Sequence, residues 1–182
     1  MSDLRREDGG AARLAEMRRE FDESFARPAA GPRRDLERLV SLRAGGDRFA
    51  VLLSELSCLE RTPRLEPLPD APPDLLGLAG IRGRLVPVFS LARLLGCQGA
   101  RGGDAARWLV IVRGEPPIGL AFDALDGYLL VARVDLHPSG DARAHVPSLA
   151  RAVDGVLGLI DTASITAEIS RRTAIPAPRK ES

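Results

Sequence analysis

The chain has 182 residues, 45% hydrophobic and 28% charged, which allows one domain with a sizeable core. A net charge of +1 and only one Trp, one Tyr and five Phe argue against a nucleic-acid surface, which needs clustered positive charge and stacking platforms. No apolar run approaches the roughly 20 residues that span a bilayer, and the acidic start is unlike a signal peptide. The sequence therefore predicts a cytoplasmic protein without membrane insertion. Its two cysteines are too few for a disulfide framework.

An amphipathic helix is predicted near residues 11–26. The apolar residues that recur there at spacings of three and four are Leu14, Met17, Phe21 and Phe25. The breaker-rich linker PAAGP follows, and it separates residues 1–34 from a domain that starts near Asp35. The apolar stripe suits packing on the chain's own domain and anchoring of another protein equally well. The sequence leaves both roles open.

From residue 39 onward the apolar period changes to two, which predicts short β-strands. Apolar residues alternate with polar or small residues on both sides of the turn at 44–47, which indicates an antiparallel hairpin. The run Trp108–Val112 is apolar on both faces, as is typical of a central strand. Two further strands are predicted at 118–122 and 128–132 as successive antiparallel neighbours, and brief helices at 90–95 and 162–171. This arrangement favours β-barrels over a doubly wound parallel sheet.

Another β-hairpin is predicted between Leu78 and Phe89, with Gly83 supplying the positive φ that a two-residue connection demands. Arg82 then lies at a rigid tip, where its guanidinium can grip a partner. The alternative for Arg82 is a solvated turn residue or a structural salt bridge. Gly77 is expected to end a short helical turn, so that the first strand of the hairpin can begin.

The segment PDLLGLAGIRGRLVPVFSL, Pro73–Leu91, resembles the motif around the hydrophobic-Arg-Gly triplet of CheW-like domains, the coupling module of chemotaxis. Three other segments resemble the first hairpin, the central strands and the closing strand and helix of that family: Leu39–Arg61, Trp108–Val131 and Val153–Ile165. The resemblance covers roughly residues 35–171, far more than a short motif that could match by chance.

This resemblance implies a mainly β fold, in which two small SH3-like antiparallel barrels lie side by side with short helices. Residues 35–175 would form the domain, with a boundary between the barrels near 96–105 and a tail at 176–182. The implied function is a non-enzymatic adaptor that couples the cytoplasmic tip of a chemoreceptor to the regulatory domain of a CheA-type histidine kinase. Such a protein would be cytoplasmic and peripheral to receptor arrays.

The resemblance also implies a receptor groove between the barrels and kinase contacts on their outer ends. The residues expected at the groove are Leu56, Cys58, Leu59, Glu60, Gly77 and Arg82. An acidic residue often stands at the position of Cys58 in the family, and Glu60 could replace it, because side chains two apart on a strand share a face. Gly80 stands where most relatives carry Asn. Glycine removes the side chain that usually hydrogen-bonds the backbone of the turn, but it makes the backbone conformation easier to adopt.

No catalytic, cofactor or metal site is predicted. The sequence has no Cys or His at zinc-site spacing and no HExxH motif, and its GARGG segment lacks the Lys-Ser/Thr of a phosphate loop. His137 and His145 are expected to be exposed loop residues. An unrecognised enzyme is therefore the weaker alternative function. The stronger alternative is a CheW-like regulatory protein that binds the kinase or another partner in a non-chemotactic pathway without bridging to receptors.

Overall fold

The computed structural model describes residues 35–98, 106–140, 143–153 and 155–173. The predicted N-terminal helix, its linker and the C-terminal tail lie outside these residues. In chain order the elements are β1 (Leu36–Ala44), β2 (Asp47–Leu52), β3 (Leu56–Arg61), β4 (Leu75–Ile81), β5 (Arg84–Ser90), α1 (Leu91–Leu94), β6 (Trp108–Val112), β7 (Ile118–Phe122), β8 (Ala124–Ala132), β9 (Leu136–Pro138), β10 (Ser148–Ala152), β11 (Gly155–Leu159) and α2 (Thr162–Thr173).

The strands form two sheets. The first has the order β8-β1-β2-β11-β10-β9, and the second has the order β3-β6-β7-β5-β4. All pairs are antiparallel except β2 with β11 and β5 with β7, which are parallel. The prediction of wholly antiparallel sheets is wrong at these two pairs. Each joins strands that are not consecutive in the chain, and parallel neighbours need a crossover connection. Between β5 and β7 this connection includes α1 and β6.

The division of the chain between the sheets also differs from the prediction. Strands on both sides of residues 96–105 belong to the second sheet, so this segment does not separate the two subdomains. Strand β8 does not pair with β7 but crosses to the first sheet, where it lies beside β1. The first sheet is therefore built from both ends of the domain, and the second is inserted between them.

Each sheet curls around a core to which all of its strands contribute. In the first sheet this core contains Leu39, Ala50, Leu129, Val131, Leu136, Ala150 and Leu157. In the second it contains Cys58, Ala79, Ile81, Val86, Val88, Leu109, Ile111 and Ala121. A larger cluster lies between the sheets and includes Val40, Leu42, Phe49, Val51, Leu56, Val110, Val112, Leu120 and Phe122, with Leu91, Ile165 and Ile169 from the helices. The predicted class, mainly β with two subdomains and short helices, is confirmed.

The β4–β5 hairpin has the predicted two-residue turn. Ile81 pairs with Arg84, and the residues between them, Arg82 and Gly83, have φ angles of 50° and 77°. Positive φ at both central positions defines a type I′ turn, whose twist matches that of the flanking strands. The hairpin tip is therefore a rigid support for Arg82.

Gly77 does not end a helical turn, because β4 already begins at Leu75. It has a φ of 146° beside a register shift in the hairpin. A Cβ at this position would lie 2.5 Å from the carbonyl oxygen of Glu66. Glu66 and Leu78 exchange two backbone hydrogen bonds of 2.9 Å, which hold the preceding segment against β4. Glycine is needed here for both the backbone angle and the close approach.

Replacing Gly77 by Ala should therefore lower the free energy of unfolding by about 2 kcal/mol or more, through strain and the clash with Glu66. Gly80→Ala is the matched control in the same strand, because a Cβ there meets open space and φ lies outside the positive region. It should change stability by no more than about 0.5 kcal/mol. Urea denaturation followed by circular dichroism measures both. Equal stability of the two variants would contradict the proposed role of Gly77.

Candidate functional site

Arg82 and Cys58 lie together although they come from opposite edges of the second sheet. The Arg82 Nη2 atom is 3.8 Å from the Cys58 sulfur, because the curl of the sheet brings β3 towards the β4–β5 tip. Arg82 is exposed and has no carboxylate partner among the described residues. Its charge is therefore held in place and available to another molecule.

Strand β3 presents its two faces differently. Leu56 is only 5% exposed and, with Leu59, packs into the cluster between the sheets. Cys58 packs at the margin of the core of the second sheet. Glu60 shares the face of Cys58, because the strand is extended from residue 58 to 61 as predicted. Leu56 and Leu59 thus anchor the strand, while Cys58 and Glu60 lie on the side of Arg82.

Gly77 does not line an open surface, because the backbone of Glu66 and Pro67 covers it. Its role is to let the backbone of Glu66 pack closely against the hairpin, and it makes no contact with a partner in this arrangement. Gly80 has an ordinary backbone angle and pairs with Leu85 within the hairpin. The expectation that glycine at position 80 eases a special conformation is therefore wrong, since any residue fits its extended strand geometry.

A groove opens where β3 begins, at the junction of the two sheets with α2. Its volume is about 470 Å³, and its lining residues are Ser54, Glu55, Val112, Arg113, Thr162, Ala163, Thr166 and Ala167. We call it the seam groove. Glu55 ties its walls together, since its Oε2 accepts a 2.7 Å hydrogen bond from Thr162 Oγ1 and its backbone oxygen accepts one of 2.7 Å from Arg113.

Sequence reasoning missed the contribution of α2 to this groove. The available signal was the pair of small residues Ala163 and Ala167, which are exposed on the helix face opposite the buried Ile165 and Ile169. Small side chains at helix spacing let a second helix approach closely, because the distance between packed helices depends on the side chains at the contact.

Helix α2 is held in place by charged and polar contacts. His145 Nδ1 lies 2.8 Å from Ser164 Oγ, and Nε2 lies 3.2 Å from Glu168 Oε2. The His145 side chain is only 6% exposed, so the expectation of an exposed loop residue is wrong for it. His137 is exposed as expected, but it lies in strand β9, where it pairs with Leu149, and not in a loop. Arg172 donates a 3.0 Å hydrogen bond to Asp74, the residue before β4, and so joins α2 to the start of the hairpin.

The second cysteine has a structural environment. Cys97 is buried, and burial raises the pKa of its thiol, while the nearby Arg143 guanidinium partly opposes this rise. Arg143 also donates a 2.7 Å hydrogen bond to Asp47 and one of 3.2 Å to the backbone oxygen of Leu95. These contacts join the segment after α1 to the β1–β2 hairpin. Within the described residues, no three His, Cys, Asp or Glu side chains are grouped to hold a metal ion.

Comparison with known proteins decides the family. A model of the CheW-like domain matches residues 38–170. The chain belongs to the CheW-like domain family. Protein FrzA of Myxococcus xanthus is 31% identical to it over 121 residues, which cover 65% of this chain and 76% of FrzA. Chemotaxis protein CheW of Rhizobium meliloti (strain 1021) is 28% identical over 123 residues, covering 66% of this chain and 78% of that protein.

The fold also matches a solved structure. The scaffolding protein TtCheW from Thermoanaerobacter tengcongensis superposes with a TM-score of 0.62, covering 69% of this chain and 88% of that chain at 17% identity. This likeness shows a shared CheW-like fold. In the part of the chain that the structure describes, no helix is both long and apolar enough to cross a membrane.

The two cysteines should differ in reactivity, because the thiolate is the reacting species and both burial and a raised pKa oppose its formation at Cys97. We expect N-ethylmaleimide to modify the partly exposed Cys58 first in the native protein, and Cys97 only after unfolding in urea. Mass spectrometry of the wild type, Cys58→Ser and Cys97→Ser measures this order. Labelling of Cys97 as fast as Cys58 in folded protein would contradict the described environment.

Proposed function

We propose that this CheW-like protein is a non-enzymatic adaptor that couples a chemoreceptor to a CheA-type histidine kinase. In this proposal the receptor's cytoplasmic tip contacts Arg82, Cys58 and Glu60 and enters the seam groove. The regulatory domain of the kinase binds the outer ends of the two sheets. The protein acts in the cytoplasm, peripheral to receptor arrays, and residues 35–175 form the binding unit.

The arrangement of Arg82 is the observation that carries this proposal. Its guanidinium projects from a type I′ turn and has no carboxylate partner among the described residues. Glu55, which lines the seam groove, precedes Cys58 by three residues along the chain. A preorganised charge beside an apolar groove suits a protein partner, since the groove supplies buried area and the charge supplies orientation.

The relatives support the same role. The protein from Rhizobium meliloti is named a chemotaxis protein, and TtCheW is described as a scaffolding protein. An adaptor needs surfaces for two partners and no reaction centre. The described residues offer a rigid tip and a groove, and we infer binding without catalysis from these features.

Cys58 favours one alternative. A thiol at this position supplies no charge to a receptor, and Glu60 offers its carboxylate two residues further along the same face. If the Glu60 carboxylate does not contact a receptor, the alternative function is binding of the kinase or another partner in a non-chemotactic pathway without bridging to receptors. The two functions differ in whether the chain binds a receptor at all.

Arg82→Glu tests the proposal. The variant should keep its fold, because a charge change at an exposed tip moves stability by only about 0.5 kcal/mol. It should lose binding to receptor cytoplasmic fragments about a hundredfold, since a reversed charge makes an attractive contact repulsive. Binding to the kinase regulatory domain should stay within about twofold of wild type, because those surfaces lie elsewhere.

Arg151→Glu is the control, because Arg151 is an exposed arginine on β10, outside the proposed site. Isothermal titration calorimetry with receptor fragments encoded in the same genome measures the affinities, and a thermal melt checks the fold. Unchanged receptor affinity in folded Arg82→Glu protein would remove Arg82 from the site. Wild-type protein that binds kinase but no receptor fragment would favour the non-bridging alternative.

A further inference from the structure

Strand β8 is an edge of the first sheet, because β1 pairs with one side of it and no described strand pairs with the other. With nine residues it is longer than the edge strands β3, β4 and β9 of the described part of the chain. An edge strand presents a row of unpaired backbone groups to which a strand of another chain can bind, and proteins usually protect such edges.

The other three edges carry such protection. Strand β4 is covered where Glu66 exchanges two backbone hydrogen bonds with Leu78. Strand β9 has only three residues and ends at Pro138, which has no N–H to donate. Strand β3 carries the charged residues Glu60 and Arg61. Charges, prolines and covering segments are the usual means of preventing edge pairing.

Strand β8 lacks these features. Its one charged residue is Asp126, and this carboxylate is already paired with Arg43 at 2.9 Å and Arg48 at 3.4 Å. Further along the strand, Tyr128 and Leu130 are 63% and 66% exposed and lie on the same face. The edge is therefore apolar where it is free, which favours pairing with another strand.

The backbone of β8 has unpaired groups at these same two residues. The N–H of Arg133 donates a 2.8 Å hydrogen bond to the backbone oxygen of Asp35 on the β1 side. Hydrogen-bonded pairs recur at every second residue of an antiparallel ladder, so Leu130 and Tyr128 direct their N–H and C=O groups away from β1. These groups have no hydrogen-bond partner among the described residues.

We propose that β8 pairs with β8 of a second copy of this chain, antiparallel about a two-fold symmetry axis at Leu129. In this register Tyr128 of each copy lies opposite Leu130 of the other, and their outward backbone groups exchange hydrogen bonds. Pairs of an aromatic and an aliphatic side chain stabilise neighbouring antiparallel strands. Self-association through β8 does not depend on the proposed function, because it needs neither receptor nor kinase.

The side chains favour this register over its neighbours. An axis at Tyr128 would place Leu130 opposite Asp126, and an axis at Leu130 would place Tyr128 opposite Ala132. Both lose the contact between the two large apolar side chains. The axis at Leu129 keeps that contact twice and leaves Asp126 opposite Ala132, a small residue.

The charges of β1 do not oppose this dimer. Arg38 is exposed and lies beside Leu130 on the same face of the sheet. In the proposed dimer the two copies of Arg38 lie three strand spacings apart, which is about 14 Å. This distance exceeds the Debye length of about 10 Å at 0.1 M salt, so the two guanidinium groups repel each other only weakly.

Sedimentation equilibrium of the 182-residue chain alone tests the pairing. The wild type should show a reversible equilibrium between monomer and dimer. Leu130→Lys should raise the dissociation constant of the dimer at least about tenfold, because lysine on an edge strand prevents pairing. Leu85→Lys is the control, since Leu85 is 74% exposed in the second sheet, and this variant should dimerise as the wild type does. A thermal melt checks the fold of each variant.

Disulfide cross-linking tests the register. In a Cys58→Ser background, Tyr128→Cys mixed with Leu130→Cys should form an interchain disulfide on mild oxidation. The Cα atoms of opposite residues in such a pair are about 5.5 Å apart, which a disulfide can span. Each variant alone should cross-link much more slowly, because identical positions of the two copies lie diagonally, about 7 to 8 Å apart.

Three results would overturn the inference. The first is wild-type protein that stays monomeric at every concentration. The second is a dimer that Leu130→Lys weakens no more than Leu85→Lys does. The third is cross-linking of Tyr128→Cys or Leu130→Cys to itself without cross-linking between the two variants. None of these measurements includes a receptor or a kinase, so each result leaves the proposed function standing.

Discussion

The apolar contact between the two sheets is the interaction on which the rest of the structure depends. Side chains such as Val40 and Phe49 from the first sheet meet Leu56 and Val112 from the second, and burial of this area removes a large apolar surface from water. Helix α2 joins the same cluster through Ile165 and Ile169, which turns its small residues towards the seam groove. The groove therefore lies at the rim of the shared core, and its walls are joined by the hydrogen bonds of Glu55 to Thr162 and Arg113.

The hairpin tip adds a second constraint. The type I′ turn fixes the direction of Arg82, and the segment hydrogen-bonded over Gly77 braces the hairpin from its other side. The Arg172–Asp74 contact then ties α2 to the beginning of this hairpin. Tip and groove thus belong to one connected framework. A partner that spans both loses little entropy in ordering the protein, which is how preorganisation increases affinity.

Much of the fold follows from local sequence signals, whereas the arrangement of the two sheets does not. The Gly83 turn, the β1–β2 hairpin and the two-faced strand β6 each carry their signal within a few residues. Strand β8 alternates between more buried and more exposed residues, as any half-buried strand does. Its local sequence therefore does not show that it leaves the sheet of β7 and pairs with β1. The burial of His145 and the closeness of Arg82 to Cys58 likewise depend on groups brought together by the tertiary fold. The position of Arg82 at a hairpin tip was therefore predictable from local sequence, whereas the residues that α2 contributes to the seam groove were not.

The central claim is that one chain holds a receptor and a kinase at the same time. Sedimentation velocity of the protein with a receptor cytoplasmic fragment and a kinase regulatory domain tests it most directly. The account predicts a faster-sedimenting species that contains all three proteins. It also predicts that saturating receptor fragment does not reduce the affinity for the kinase, because the proposed surfaces for the two partners are separate. Displacement of the receptor fragment by the kinase domain, with only binary complexes at every ratio, would contradict it.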